Sequence, residues 1–186
     1  MVATKGTHGW VEAVRAAVAA RTPVDEREAA AQVRFLTELD RLPSPFDEHA
    51  DPVHVTASAI VLNPAGDAVL LHRHKRLGLW LQPGGHIDGG AHPADAAARE
   101  VREETGIARV RHVAASPEVV HVDVHPGPKG HTHLDLRYLV EADGEPAPGR
   151  DESQDVRWFG WTDAIERADP GLRGALLSLR VTPPTM

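Results

Sequence analysis

Cysteine is absent from this 186-residue chain, which removes a disulfide framework, a thiol nucleophile and cysteine-ligated zinc from consideration. No apolar run is long enough to span a bilayer, and the N-terminus lacks a secretory signal pattern, so cytoplasmic residence is the expectation. Positive charge is outnumbered: 20 Lys and Arg stand against 27 Asp and Glu, a formal net charge of −7. That balance argues against a protein that coats a polyanion, and stable nucleic-acid binding is not expected, although a local basic patch could still hold phosphates. What remains is length enough for one domain with an extension and a proper core.

The acids that are present are not scattered. The run Arg99-Glu100-Val101-Arg102-Glu103-Glu104-Thr105-Gly106-Ile107 ends in a glycine stop. At about 100° per residue, Glu103 and Glu104 lie roughly 60° to one side and 40° to the other of Glu100, so three carboxylates share one stripe of a helix. Three anions so close repel unless a cation sits among them, and hard oxygen donors suit Mg²⁺ or Mn²⁺. Arg99, four residues before Glu103, can pair with it. Ala94, Ala97, Ala98, Val101 and Thr105 form the neighbouring apolar flank, suited to packing on a sheet. A solvated helix face with ordinary charge pairs is the alternative reading of these acids.

The ends of the helix are marked as well. Pro93 suits its first turn and Gly106 its left-handed close. Upstream, Pro83-Gly84-Gly85 and Gly89-Gly90 form a loop whose backbone can approach a ligand without Cβ interference. Strand, glycine loop and acidic helix follow in order, and this agreement favours a metal site over a solvated face.

Gly85 followed by Arg99-Glu100-Val101-Arg102-Glu103-Glu104-Thr105-Gly106-Ile107 resembles the Nudix box, in which Gly is followed at fixed spacing by Glu and then by Arg-Glu-apolar-any-Glu-Glu-any-Gly-apolar. The resemblance implies an α/β/α sandwich with a mixed β-sheet. It implies Glu100, Glu103 and Glu104 as ligands of Mg²⁺ (or Mn²⁺), the Gly84 carbonyl as a further ligand, and Arg99 as the orienting partner. One position departs: the first Glu of the box is Ala91 here, which bears on metal number and catalytic efficiency, and Asp88 stands three residues earlier as a substitute.

Residues 1–50 read as a helical extension and 51–182 as the main domain. Trp10, Val11, Val14 and Val18 recur at helical spacing, and Thr22-Pro23 is expected to cap and begin a second helix carrying Val33, Leu36 and Leu39. The arm is too small to stand alone, so it is expected to pack on the main body or on a second copy in a homodimer. Strands are expected at Val55 to Leu62, Ala68 to His74, Leu79 to Gln82, Val119 to His125, Thr132 to Val140 and Val156 to Trp161. Two short helices close the chain, the second capped by Asp169 with Pro170 in its first turn, and Gly144 to Gly149 reads as a flexible connection. Strands alternating with helices agree with the sandwich class.

Further chemistry is expected on the hairpin after the box. Alternation puts His121, Asp123 and His125 on one face. With Pro126 to Gly130 as the loop, His125 would oppose His131 and Asp123 would oppose His133, adding Asp135 and Arg137 to the same side. This surface could line a substrate cleft with His121 and His125, face solvent, or hold a borderline metal such as zinc. Arg73, in the basic run His72-Arg73-His74-Lys75-Arg76, could bind diphosphate oxygens, with a solvated turn as the alternative. Glu152 is a candidate base or substrate contact and Asp155 a weaker one. Trp80 and Trp158 read as core anchors.

Metal-assisted hydrolysis of a phosphoanhydride in a nucleoside diphosphate linked to another moiety is what the resemblance implies, with a small-molecule nucleoside diphosphate derivative as substrate. A weak or inactive nucleotide-binding or regulatory domain is one rival, favoured by Ala91 and opposed by the intact glutamates. A prenyl diphosphate isomerase is another, opposed by the lack of cysteine.

Overall fold

The computed structural model describes residues 5–88 and 90–181, with side chains described from Gly9 to Arg180. Residues 1–4 of the N-terminal arm, Gly89 of the glycine loop and residue 182, where the main domain is expected to end, lie outside the described residues. The chain runs α1 (Lys5–Ala20), α2 (Glu26–Arg41), β1 (Val53–Leu62), β2 (Ala68–Arg73), β3 (Trp80–Leu81), β4 (Gly84–His86), α3 (Pro93–Thr105), β5 (Arg109–His112), β6 (Val119–Pro126), β7 (Thr132–Asp143), β8 (Val156–Gly160), α4 (Trp161–Arg167) and α5 (Pro170–Val181).

All strands join one mixed sheet built around β1 and β7, which pair in parallel from Val53↔Thr132 to Leu62↔Glu141. The other edge of β1 is shared: its middle, Thr56 to Ser58, pairs with β4 and its last residues, Val61 and Leu62, with β2. Such a central strand must bury both faces, and nine of its ten residues are buried. Its odd-numbered residues join a core with the buried alanines and Val101 of α3, together with Val14, Val18, Phe35 and Leu39 of the two N-terminal helices. Ile60 and Leu62 pack on the other face with α4 and α5. The result is an α/β/α sandwich with the N-terminal helices seated on its body. Burying a residue such as Val101 completely contributes about 1.5–3 kcal/mol before the entropy of ordering is counted.

Helix α2 has a second duty. Strand β6 lies at an edge, where backbone N–H groups lack a strand partner. The fully buried Glu28 accepts from the Val122 amide at 3.0 Å, from the Val24 amide at 2.7 Å and from Arg21 Nε at 3.0 Å. One carboxylate thereby closes part of the sheet edge and ties α2 to it.

Several expectations need correction. The second helix is capped by Asp25, which accepts from the Glu28 amide at 2.8 Å, rather than by Thr22-Pro23, because the carboxylate reaches the third residue beyond it. Val33 lies on the outward face and is exposed. Part of the Pro-Gly-Gly loop is strand β4, and Arg109–His112 adds β5, a strand its sequence pattern does not predict. The hairpin register differs by two residues: His125 pairs with His133 and Asp123 with Asp135, because β6 runs through Pro126 and a tight 3₁₀ turn at Pro128–Gly130 closes it. An even shift leaves every side chain on its expected face. The segment Gly144 to Gly149 is docked rather than loose. The Ala147 amide donates to the Thr105 carbonyl at 2.8 Å, and a Cβ on Gly106, at φ 72°, would meet the Ala147 carbonyl oxygen. Gly106 is therefore required both by its left-handed backbone and by this contact.

Candidate active site

Helix α3 begins with Pro93 after a His92 cap and closes at Gly106, whose amide donates to the Arg102 carbonyl. Its inner flank, Ala94, Ala97, Ala98, Val101 and Thr105, is buried as the sequence requires. That packing rotates Glu100, Glu103 and Glu104 toward β4. Glu103 remains half exposed, whereas the side chains of Glu100 and Glu104 are mostly buried.

Arg99 is the hub of this corner. Its guanidinium lies 2.8 Å from Glu100 Oε1, 2.7 Å from Glu103 Oε2 and 3.3 Å from Asp88 Oδ2, and it donates to the His86 carbonyl at 2.9 Å. Asp88 thus joins the cluster through Arg99, while Ala91 packs against the core. Glu104 is held differently, accepting from the Gly84 amide at 3.0 Å with its other oxygen 4.0 Å from His72 Nδ1.

Burial pushes the Glu104 carboxyl up to about 8, with repulsion from Glu100, Glu152 and Glu103 added, against the opposing hydrogen bond from Gly84. Burial also raises Glu100, and Arg99 offsets this only in part. Glu100, Glu103 and Asp88 share one guanidinium, with Glu104 adding repulsion to Glu100 and Glu103, an arrangement that calls for further positive charge. The glycines make it attainable. A Cβ on Gly85 would lie 2.7 Å from the Glu100 carboxyl carbon, and one on Gly84 would lie 2.3 Å from Ser58 Cβ.

Arg99 thus joins Glu100 to Glu103, and the Gly84 amide holds Glu104. Glu152 is close enough to act on Glu104. Arg73 is exposed, its Nε donating weakly to Gly78 O at 3.4 Å, and it is His72, its neighbour on the opposite face of β2, that approaches Glu104. His121 and His125 are not beside the acidic cluster. They lie on the sheet face away from α3, in a buried network with Arg137, which donates to His121 Nδ1 at 3.2 Å and to Asp123 at 3.1 Å. His125 Nδ1 is 3.5 Å from Asp123. This polar face is covered rather than solvent-facing, since His121, Asp123, Asp135 and Arg137 are all buried. Trp80 meets Phe159 edge to face at 4.8 Å, consistent with a packing role, and Asp155 pairs with Arg157.

A cleft of about 590 Å³ opens between α1 and the start of α3, lined by Trp10, Arg21, His92, Glu118 and Tyr138 among others. Neither Arg99 nor any of Glu100, Glu103 and Glu104 lines it.

Residues 52–179 match the family model of the NUDIX domain. An RNA pyrophosphohydrolase of Brucella anthropi is 28% identical over 128 residues, 63% of this chain and 64% of the relative. The NAD-capped RNA hydrolase NudC of Stutzerimonas stutzeri is 31% identical over 115 residues, 56% of this chain and 36% of the relative. The chain spans less than two thirds of the length of these curated relatives. Among solved structures, an Ap4A hydrolase of C. elegans in a binary complex superposes with a TM-score of 0.55 at 25% identity, covering 68% of this chain and 94% of that one.

Proposed function

This chain belongs to the Nudix family, and from that membership we propose that it is a divalent-metal-dependent hydrolase of a phosphoanhydride bond in a nucleoside diphosphate linked to another moiety. The placement of Glu100, Glu103 and Glu104 on one face of α3, the first two joined through Arg99 and the third held by the Gly84 amide, is the observation that carries this reading. The donor set fits Mg²⁺ or Mn²⁺: carboxylate oxygens, a backbone carbonyl at Gly84, and charge repulsion that a cation relieves. Glu100, Glu103 and Glu104 would hold the ion, with residues 51–182 as the catalytic unit and 1–50 as an extension packed upon it. When bound, the ion supplies charge neutralisation of the diphosphate and acidifies a bound water.

The protein's own groups do the remaining work. Arg99 fixes the carboxylates of Glu100 and Glu103 in place, so little reorganisation is needed as charge develops. The Gly84 amide orients Glu104. Burial favours the protonated form of Glu104, so a bound cation would be needed to keep it ionised as a ligand, and Glu152 is the nearby acid placed to act as base. Arg73 remains a candidate for substrate contact after a change of rotamer, whereas His121 and His125, held in the Arg137 and Asp123 network on the other sheet face, do not reach this corner. The names of the relatives make RNA or a capped RNA one carrier of the scissile linkage, while the net charge of −7 favours small nucleotides over extended RNA.

The test is a panel of nucleoside triphosphates, dinucleoside polyphosphates, ADP-ribose, nucleotide sugars and 5′-triphosphorylated RNA, incubated with Mg²⁺ or Mn²⁺ and resolved by product. Metal-dependent release of phosphate or nucleoside monophosphate from at least one member supports the proposal. Binding without turnover across the panel would favour a regulatory domain, and rearranged, unhydrolysed diphosphate would favour an isomerase.

A further inference from the structure

We propose that His54, His86 and His133 form a second metal site, for Zn²⁺ or a similar borderline divalent ion, on the sheet face opposite α3. One ring nitrogen from each residue lies within 4.8 Å of the others. The rings come from β1, β4 and β7, with centroids 5.1 Å apart for His54 and His86, 5.1 Å for His54 and His133, and 5.7 Å for His86 and His133. Tetrahedral zinc with bonds of 2.0–2.1 Å needs donor separations of about 3.3 Å, within reach of small ring rotations.

His54 makes the strongest case. It has no exposed surface, its Nδ1 faces the Asp51 carbonyl at 3.4 Å, and its Nε2 is buried without a partner. A carbonyl only accepts, so the proton sits on Nδ1 and the Nε2 lone pair is left free, which is the tautomer a metal-ligating imidazole adopts. An unsatisfied nitrogen in such a place is costly unless something binds it. The Nε2 atoms of His86 and His133 are likewise buried without a hydrogen bond.

The surroundings agree. Burial favours the neutral form of His54 and His133, with the neighbouring imidazoles acting in the same direction. Glu48 Oε2 lies 3.4 Å from His86 Nε2 and brings a carboxylate to offset the ion's charge. His131 meets His54 edge to face at 5.1 Å and His125 meets His133 edge to face at 5.4 Å, as an outer layer. Nitrogen donors favour zinc, nickel or copper over magnesium, which separates this site from the acidic one by chemistry. Strand alternation separates them in space: Gly85 faces Glu100, and His86 faces His54 and His133. Because the His86 carbonyl accepts from Arg99, an ion here would also steady the loop that carries the acidic corner.

The experiment uses the full chain, stripped with a chelator and titrated calorimetrically with Zn²⁺, and with Co²⁺ for its visible spectrum. One Zn²⁺ per chain at a Kd of about 1 µM or tighter is expected, with a Co²⁺ spectrum of low coordination number. His86→Gln, at a partly exposed position that spares the core, and His133→Gln should each weaken binding by about 100-fold or more, while Glu103→Gln leaves zinc uptake unchanged. X-ray absorption of the parent's zinc, which needs no variant, should show three imidazole nitrogens. The proposal is overturned if the parent takes up no zinc, if the ion has only oxygen neighbours, or if a folded His86→Gln binds as the parent does.

Discussion

Gly85 and Glu100 approach so closely that a β-carbon on the glycine would fall 2.8 Å from both carboxylate oxygens. This contact sets the distance between the glycine loop and α3. Gly85→Ala must push Glu100 away from Glu103 and Glu104, and a displacement of about 1 Å at a reacting centre costs on the order of 100-fold. A drop of that size in Mg²⁺-dependent kcat/KM is expected, with a weaker metal titration and little change in thermal stability. Unchanged kinetics would show that the contact is not needed.

Glu28 holds three donors at the sheet edge without any exposed surface. Glu28→Ala strands the Val122 and Val24 amides and leaves Arg21 uncompensated, so a loss of about 3–5 kcal/mol is expected. Chemical denaturation measures this loss, and hydrogen exchange should show the Val122 amide losing protection first.

His121 is buried beside Arg137, with Arg21 and Arg27 also near it, and these hold its proton affinity down to about 3 despite Asp123. A histidine whose folded value lies below its unfolded 6.5 binds fewer protons when folded, so stability is full above about 6.5 and is lost as pH falls toward 3. Unfolding free energy measured between pH 7 and 4 should fall, and His121→Gln should flatten the slope by on the order of 1–3 kcal/mol across that window. An identical slope in the variant would assign the acid sensitivity elsewhere.

Local chemistry made much of this fold legible. Pro93, the alanine flank and Gly106 specify α3 on their own, and Arg99, Glu100, Glu103 and Glu104 follow from helical arithmetic. The hairpin faces were readable because alternation survives an even slip, but the register was not, since it depends on whether Pro126 ends the strand or begins the turn. Strand β5 escaped because Arg109-Val110-Arg111-His112 lacks a β-rich apolar pattern and gains its place only by pairing with β7. The grouping of His54 with His86 and His133 was hidden for the same reason. It arises from the parallel β1/β7 pairing and from β4 lying beside β1, contacts between segments distant in sequence. His72 was within reach of inspection, as its alternation with Arg73 already puts the two side chains on opposite faces.

The most direct measurement follows hydrolysis of the best panel substrate against Mg²⁺ concentration for the parent, Glu103→Gln and Glu104→Gln. The account predicts saturable Mg²⁺ dependence in the parent and a loss of at least about 100-fold in kcat for each variant, with the fold intact by circular dichroism. Turnover by both variants at the parent's rate, or a parent indifferent to Mg²⁺ and Mn²⁺, would contradict it.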